Sequence, residues 1–241
     1  MNSVKSDSQL EGLYRFGGTA AFLIALLLIG EVVVYATIPD PATVIEYFEL
    51  FINNPLAGLL IFDLLGMIAY VLFVPLVLAL YFALRRDSEA VMLTATVLFF
   101  VGIAEFFATN TGFSMLSLSH QYTTATTKTE QEMLLAAGKA MITLFEDNAF
   151  LVSYVIVSTA WTIMGVAMLR SSVFNQFTSL MGILAGIAGI IAVVLEHLPA
   201  LGALSVAIAL YFLAIVFLFI WVLLIGRRLF NLAAHRRIAI E

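Results

Sequence analysis

The chain has 241 residues, 63% of them hydrophobic and 11% charged, with a mean hydropathy of +1.08 and a formal net charge of −5. A soluble domain carries about 25% charged residues; a water-soluble globule of this length could not bury so much apolar surface, and disorder and collagen-like repeats are excluded with it. The acidic balance offers no basic stripe for nucleic acid, and the lack of Cys removes disulfides, thiolate catalysis and Cys-ligated metal centres.

A hydrocarbon core of about 30 Å takes roughly 20 helical residues to cross. Continuous apolar runs predict an all-α polytopic bundle of six transmembrane helices, near Phe16–Ile38, Leu56–Leu84, Val91–Leu118, Ala149–Leu169, Phe177–Leu198 and Leu201–Ile225. A transmembrane β-barrel would alternate apolar and polar residues instead. This gives an N-terminal segment (1–15), a six-helix domain (16–226) and a basic tail (227–241). The first run is too long for a signal-peptide core and contains Glu31, so a retained helix is expected rather than cleavage after Val34-Tyr35-Ala36. No lipidation motif is present, since residue 2 is Asn and no Cys exists.

Pro39-Asp40-Pro41 stops the first run. Asp40 is expected to cap a short amphipathic helix with Pro41 at its first position, placing Val44, Ile45, Phe48, Phe51 and Ile52 on the apolar face and Glu46 and Glu49 opposite, up to Asn53-Asn54-Pro55. Such a helix is expected to lie on the outer membrane surface. Pro75 is expected to kink the second crossing. After the third, Thr129 and Glu132 have capping-box spacing, and Glu130–Phe145 is apolar enough to be interfacial or to extend the fourth crossing outward. Gly182, Gly186 and Gly189 put small residues along one face of the fifth, as close helix packing requires. Trp161, at mid-span, reads as lipid-facing filler and Trp221 as an interfacial anchor.

Lys5, Arg15, Arg85, Arg86, Arg170, Arg227, Arg228, Arg236 and Arg237 fall on one side of this threading, and only Lys128 and Lys139 on the other. An excess of Lys and Arg marks the cytoplasmic face, so both termini are expected there, in a cell membrane. Each outward crossing carries a Glu in its outer half (Glu31, Glu105, Glu196) and each inward one ends in Arg, the pattern of three similar hairpins.

The intramembrane acids carry the functional signal. At 1.5 Å per residue, Glu31 lies about 22 Å from the inner edge, Glu105 at a similar depth and Asp63 about 10 Å below the outer edge. Glu146, Asp147 and Asn148 lie at the mouth of the fourth crossing, Glu196 and His197 at the end of the fifth, and Tyr35, Asn110 and His120 near the same face. A carboxyl in hydrocarbon costs about 2.5–3.5 kcal/mol on insertion scales, so these residues should face the bundle interior or a wet cavity. No Lys or Arg shares their depth. Either protons or a bound cation must then meet their charge. The structural alternative is interhelical hydrogen bonding by protonated Glu, or snorkelling of Glu31 to the nearby surface. Carboxylates with His197 would suit a divalent metal, yet the Glu-x-x-His spacing of di-metal bundles is absent. No nucleophile elbow, HExxH or phosphate loop is present.

The opening Gly12-Leu13-Tyr14-Arg15-Phe16-Gly17-Gly18 and the stretch Asp63-Leu64-Leu65…Leu80-Tyr81…Leu84-Arg85-Arg86 resemble a family of small bacterial and archaeal six-span membrane proteins known as a domain of unknown function. The resemblance implies a six-helix fold in a prokaryotic plasma membrane, and no activity or functional residues. Three functions compete. The first is binding, or ion-coupled or passive transport, of a cation, proton or cationic small molecule by Glu31, Asp63 and Glu105, with Glu146, Asp147, Glu196 and His197 at the entrance. The second is a non-catalytic subunit packed on a larger protein partner or a further copy. The third is a metal-dependent enzyme acting on an apolar substrate. Beyond the lipid bilayer the expected ligand is a small cation or molecule and not a nucleic acid.

Overall fold

The computed structural model describes residues 2–197 and 203–238, and among them every regular element is helical. In chain order these are α1 (Asn2–Thr37), α2 (Val44–Asn53), α3 (Pro55–Ile61), α4 (Leu64–Thr109), α5 (Gly112–Thr124), α6 (Lys128–Leu144), a π-helical segment (Phe145–Val152), α7 (Ser153–Leu169), α8 (Gln176–Glu196) and α9 (Leu204–Ile238). Five stretches are long and apolar enough to cross a bilayer: Gln9–Thr37, Leu64–Thr124, Lys128–Leu169, Gln176–Glu196 and Leu204–His235. This is a multi-pass membrane protein. Leu198 and Leu201, where the fifth run was expected to end and the sixth to begin, lie outside the described residues.

The chain forms two compact units, one of Met1–Leu26, Ala69–Ile103 and Tyr154–Glu241, the other of Leu27–Ile68 and Ala104–Ser153. In the first, α4 folds back on itself. Its 46 residues would reach about 69 Å if straight. The backbone instead leaves helical values at Ser88 (φ −153°, ψ 49°). The Phe73 and Phe99 ring centroids are 5.4 Å apart, where an unbroken helix would separate them by about 39 Å. The reversal falls in the connection expected between the second and third crossings, after Leu84 and before Val91. At Pro75 the dihedrals stay helical; the break falls beside the charged Arg85-Arg86-Asp87 run, and the Ser171 hydroxyl donates to the Asp87 carboxylate.

α8 shows why this unit belongs in lipid. Its buried residues are mostly small or polar, Thr178, Ser179, Gly182, Ala185, Gly186, Ala188, Gly189 and Ala192, with Met181 and Val193. Its exposed stripe is Phe177, Leu180, Leu184, Ile187, Ile191 and Val194. Water would drive the reverse arrangement, whereas in hydrocarbon close backbone approach is what stabilises helix pairs. A Cβ on Gly182 would sit 2.6 Å from the Trp221 Nε1, one on Gly189 2.9 Å from Tyr154, and one on Gly186 would meet Ser158 and Thr162. The small face thus packs against α9 and α7 together. Gly17 and Gly18 let α1 approach α4 and α9 in the same way, against Ala79 and Phe230.

Both tryptophans depart from expectation. Trp221 is 1% and Trp161 3% exposed. Trp221 fills the space over Gly182, and Trp161 packs with Phe73 and Tyr154, ring centroids 5.9 and 6.2 Å away. Position along a span gives depth, not the side a ring faces; the glycines opposite make room for a large ring inside the bundle.

In the second unit the expected amphipathic helix is α2, but its cap is Thr43, which accepts from the Glu46 amide at 3.3 Å. Glu46 Oε2 accepts from the Ala42 amide at 2.8 Å. Asp40 is free of capping because its carboxylate accepts the Tyr47 hydroxyl at 3.0 Å. The buried face is Tyr47, Phe48 and Phe51, while Ile45 and Ile52 stay exposed. α2 packs on α3, α5 and α6, around a ring cluster in which Phe62 meets Tyr47, Phe51 and Phe145.

The α6 cap is Thr127 with Glu130, not Thr129 with Glu132: Thr127 accepts from the Glu130 amide at 3.2 Å, and Glu130 Oε2 from the Thr126 amide at 3.2 Å. Glu132 pairs instead with Lys128 at 3.7 Å, both well exposed. Thr127→Ala is expected to lower stability by about 1 kcal/mol and Thr129→Ala by less than half that, measured by thermal unfolding in detergent. α6 continues through the π-helical segment into α7, so Glu130–Phe145 is continuous with the run predicted as the fourth crossing.

Candidate functional site

Three irregularities fall within or beside the crossings predicted in the second unit. The predicted second crossing, Leu56–Leu84, is broken at Phe62-Asp63, between α3 and α4. Asp63 has φ 60°, ψ 44°, a left-handed conformation, and its side chain accepts from the Gly66 amide at 3.0 Å. It is thus the N-cap of α4 and not, as its sequence position suggested, a residue seven positions into a helix. The predicted third crossing, Val91–Leu118, breaks at Asn110-Thr111. The third irregularity is the π-helical segment carrying Glu146 and Asp147.

Asn110 ties two of these breaks together. Its Nδ2 donates to the Phe62 carbonyl at 2.7 Å, and its Oδ1 accepts from the Gly112 amide at 3.1 Å. Thr111 Oγ1 donates to the Met141 carbonyl at 2.8 Å, fastening α6 to the same point. A broken helix leaves backbone groups that water cannot reach inside a membrane, so such breaks persist only where neighbouring side chains satisfy them.

The sequence-predicted acids distribute as follows. Glu31, on α1, and Asp63, at the first break, lie within electrostatic reach of each other. Gly30, beside Glu31, faces Leu65 of α4. Tyr35, one turn beyond Glu31, is within reach of Asp63, Glu31, Asp40 and Tyr47. Glu146 lies within reach of Tyr47 and is itself engaged. Burial, then the neighbouring Asp40 carboxylate, hold the Tyr47 phenol well above its usual pKa, so it stays neutral and donates to Asp40. Glu105 takes its contacts elsewhere: Thr109 Oγ1 donates to its Oε1 at 3.3 Å, the Ser153 amide is also in reach, and its Oε2 is buried without a hydrogen-bond partner. Asp147 and Asn148 line an open groove of about 470 Å³ with Lys139 and Thr143.

Glu196 and His197 belong to the first unit. Glu196 accepts the Tyr211 hydroxyl, and His197 Nδ1 contacts the Val193 carbonyl of its own helix at 2.9 Å. His120 is exposed on α5. Among the described residues no three His, Cys, Asp or Glu side chains gather closely enough to hold a metal ion. A divalent metal on Glu31, Asp63 and Glu105 together is therefore not what this arrangement offers; it offers a carboxyl pair with phenols around it.

Sequence reasoning missed Tyr47, Asp40 as its acceptor, and Asn110 as a clasp. Asn110-x-Gly112 and Asp63-x-x-Gly66 are the local signals for the two breaks, since Asn and Asp tolerate left-handed backbone and cap helices.

The family model described as Domain of unknown function (DUF4386) matches residues 16–226. The chain belongs to this family. In this DUF4386 protein the match spans both units, from within α1 to Gly226 of α9. No curated protein and no solved structure matches the chain.

Proposed function

We propose that this protein crosses the cell membrane six times with both termini cytoplasmic, and that Glu31 and Asp63 form its binding site for a proton, a small cation or a cationic small molecule, in ion-coupled or passive transport. The reversal of α4 at Ser88 supports six crossings from five long helical stretches. The distribution of Lys and Arg supports the orientation, and α2 is the segment that would lie at the outer surface.

The observation that carries the reading is the approach of two carboxyls at a break between helices, with no basic partner. The ion pairs among the described residues are Glu11 with Arg15 and Lys128 with Glu132. Two neighbouring carboxylates withdrawn from water need a proton or cation to balance them. Discontinuous helices are how membrane transporters place polar groups at a site within the bilayer. Glu105, with one oxygen unpartnered, is a second acceptor, and Glu146 and Asp147 lie in the same unit as the carboxyl pair.

The test uses the purified protein in lipid nanodiscs, titrated with sodium and with tetramethylammonium at pH 6 and pH 8, while a dye follows proton release. Cation binding with proton release is expected from the native protein. Glu31→Gln should weaken binding about tenfold or more, and Glu105→Gln less, both with the unfolding temperature preserved. Titration heats and proton release unchanged by Glu31→Gln would remove the reading.

A further inference from the structure

The first unit contains a cavity of about 510 Å³ at the other chemical extreme. On its α9 wall Leu224, Arg227, Arg228 and Asn231 recur at helical spacing on one face. The facing wall is the α7–α8 connection, with Val173 and Asn175, and the first turn of α8. Arg228 is fixed: its Nε donates to the Val173 carbonyl at 2.6 Å. Asn175 caps α8, its Oδ1 accepting from the Thr178 amide at 2.8 Å and from the Thr178 hydroxyl at 2.7 Å. The first turn of the 21-residue α8, its positive end, lines the same cavity through Asn175 and Thr178.

No acid lines this space. Among the described residues neither Arg227 nor Arg228 forms an ion pair. Two guanidiniums and a helix N-terminus around a roomy cavity, with no acid among its lining residues and the nearby Asp87 carboxylate engaged by Ser171, match the chemistry of a phosphate group. Guanidinium suits phosphate better than ammonium does, because its planar fork gives two parallel hydrogen bonds.

We propose that this cavity binds a phosphate-bearing anion, either the headgroup of an anionic phospholipid or a free phosphate compound. The site is independent of the carboxyl pair and stands whether or not that pair binds cations. The lipid source fits the place of the cavity, at the end of the bundle where Arg85, Arg86 and Arg170 also cluster in the threading. Basic pockets between transmembrane helices at that level hold anionic headgroups.

The experiment compares the native chain with Arg227→Gln, with Asn231→Asp, which places a carboxylate in the cavity, and with Arg86→Gln, an exposed arginine outside it. Arg228 is left intact because of its bond to Val173. In one arm, native mass spectrometry measures retention of phosphatidylglycerol against phosphatidylcholine from mixed micelles. In the other, inorganic phosphate is titrated into protein in phosphatidylcholine nanodiscs. Arg227→Gln and Asn231→Asp should each lower phosphatidylglycerol retention about tenfold, with Arg86→Gln within twofold of native and all unfolding temperatures alike. The same pattern for phosphate alone, without lipid preference, supports the site and assigns it to a soluble ligand. Equal losses in Arg86→Gln, or no loss in either cavity variant and no phosphate binding, would overturn the proposal.

Discussion

Gly186→Leu is expected to destabilise the protein by about 3 kcal/mol, toward the upper end of what overpacking costs. A Cβ at this position already collides with the Ser158 carbonyl and Thr162 Oγ1 and lies 3.0 Å from the Thr162 amide. Those are backbone and near-backbone atoms of α7, so relief requires the two helices to separate. Separation in turn removes contacts along a face built from small residues, the main source of helix association in hydrocarbon. For a chain of this length, 1 kcal/mol moves the unfolding temperature by roughly 2–4 °C, so a fall of about 6–12 °C should follow. Ile187→Ala, at an exposed position on the same helix, should move it by less than a third of that. Thermal unfolding of both variants in one detergent checks the comparison; equal shifts would show that the small-residue face does not govern this contact.

That glycine face was legible because helical spacing alone assigns residues to a side, and the residues were too small to serve any purpose except approach. The tryptophans were not. Trp161 and Trp221 sit in runs that are apolar all round, where periodicity carries no information about which side faces lipid. The α6 cap was half legible: Thr127 with Glu130 and Thr129 with Glu132 both satisfy the pattern, and the first to occur takes the helix end. Neither the depth of Asp63, counted along a helix that in fact breaks at Phe62-Asp63, nor the grouping of the acids was readable from rise per residue. Which carboxyls meet depends on the breaks at Phe62-Asp63 and Asn110-Thr111, and a long apolar run conceals a break of one or two residues. Hydropathy averages over Asp63 and Asn110, whereas the turn chemistry of Asp-x-x-Gly and Asn-x-Gly marks them.

Asp63 combines two duties that substitution can separate. As the α4 cap it supplies an oxygen to the Gly66 amide, and at φ 60° it occupies backbone space that Asn and Asp tolerate and most residues do not. As a carboxyl near Glu31 it supplies the charge on which the proposed site depends. Asp63→Asn keeps the capping oxygen and the left-handed backbone, so its unfolding temperature should stay within about 3 °C of native, equivalent to less than roughly 1 kcal/mol. Asp63→Ala loses the cap, about 1 kcal/mol, and forces a β-carbon into the left-handed region, about 1–2 kcal/mol more; it should be destabilised by about 2–3 kcal/mol. Asp63→Gly relieves the backbone and loses only the cap, and should fall between. Proton release on cation addition should vanish in Asp63→Asn despite its native stability. Release that persists in Asp63→Asn would confine this residue to capping, and an alanine variant as stable as the asparagine one would contradict the left-handed cap from which the site is built.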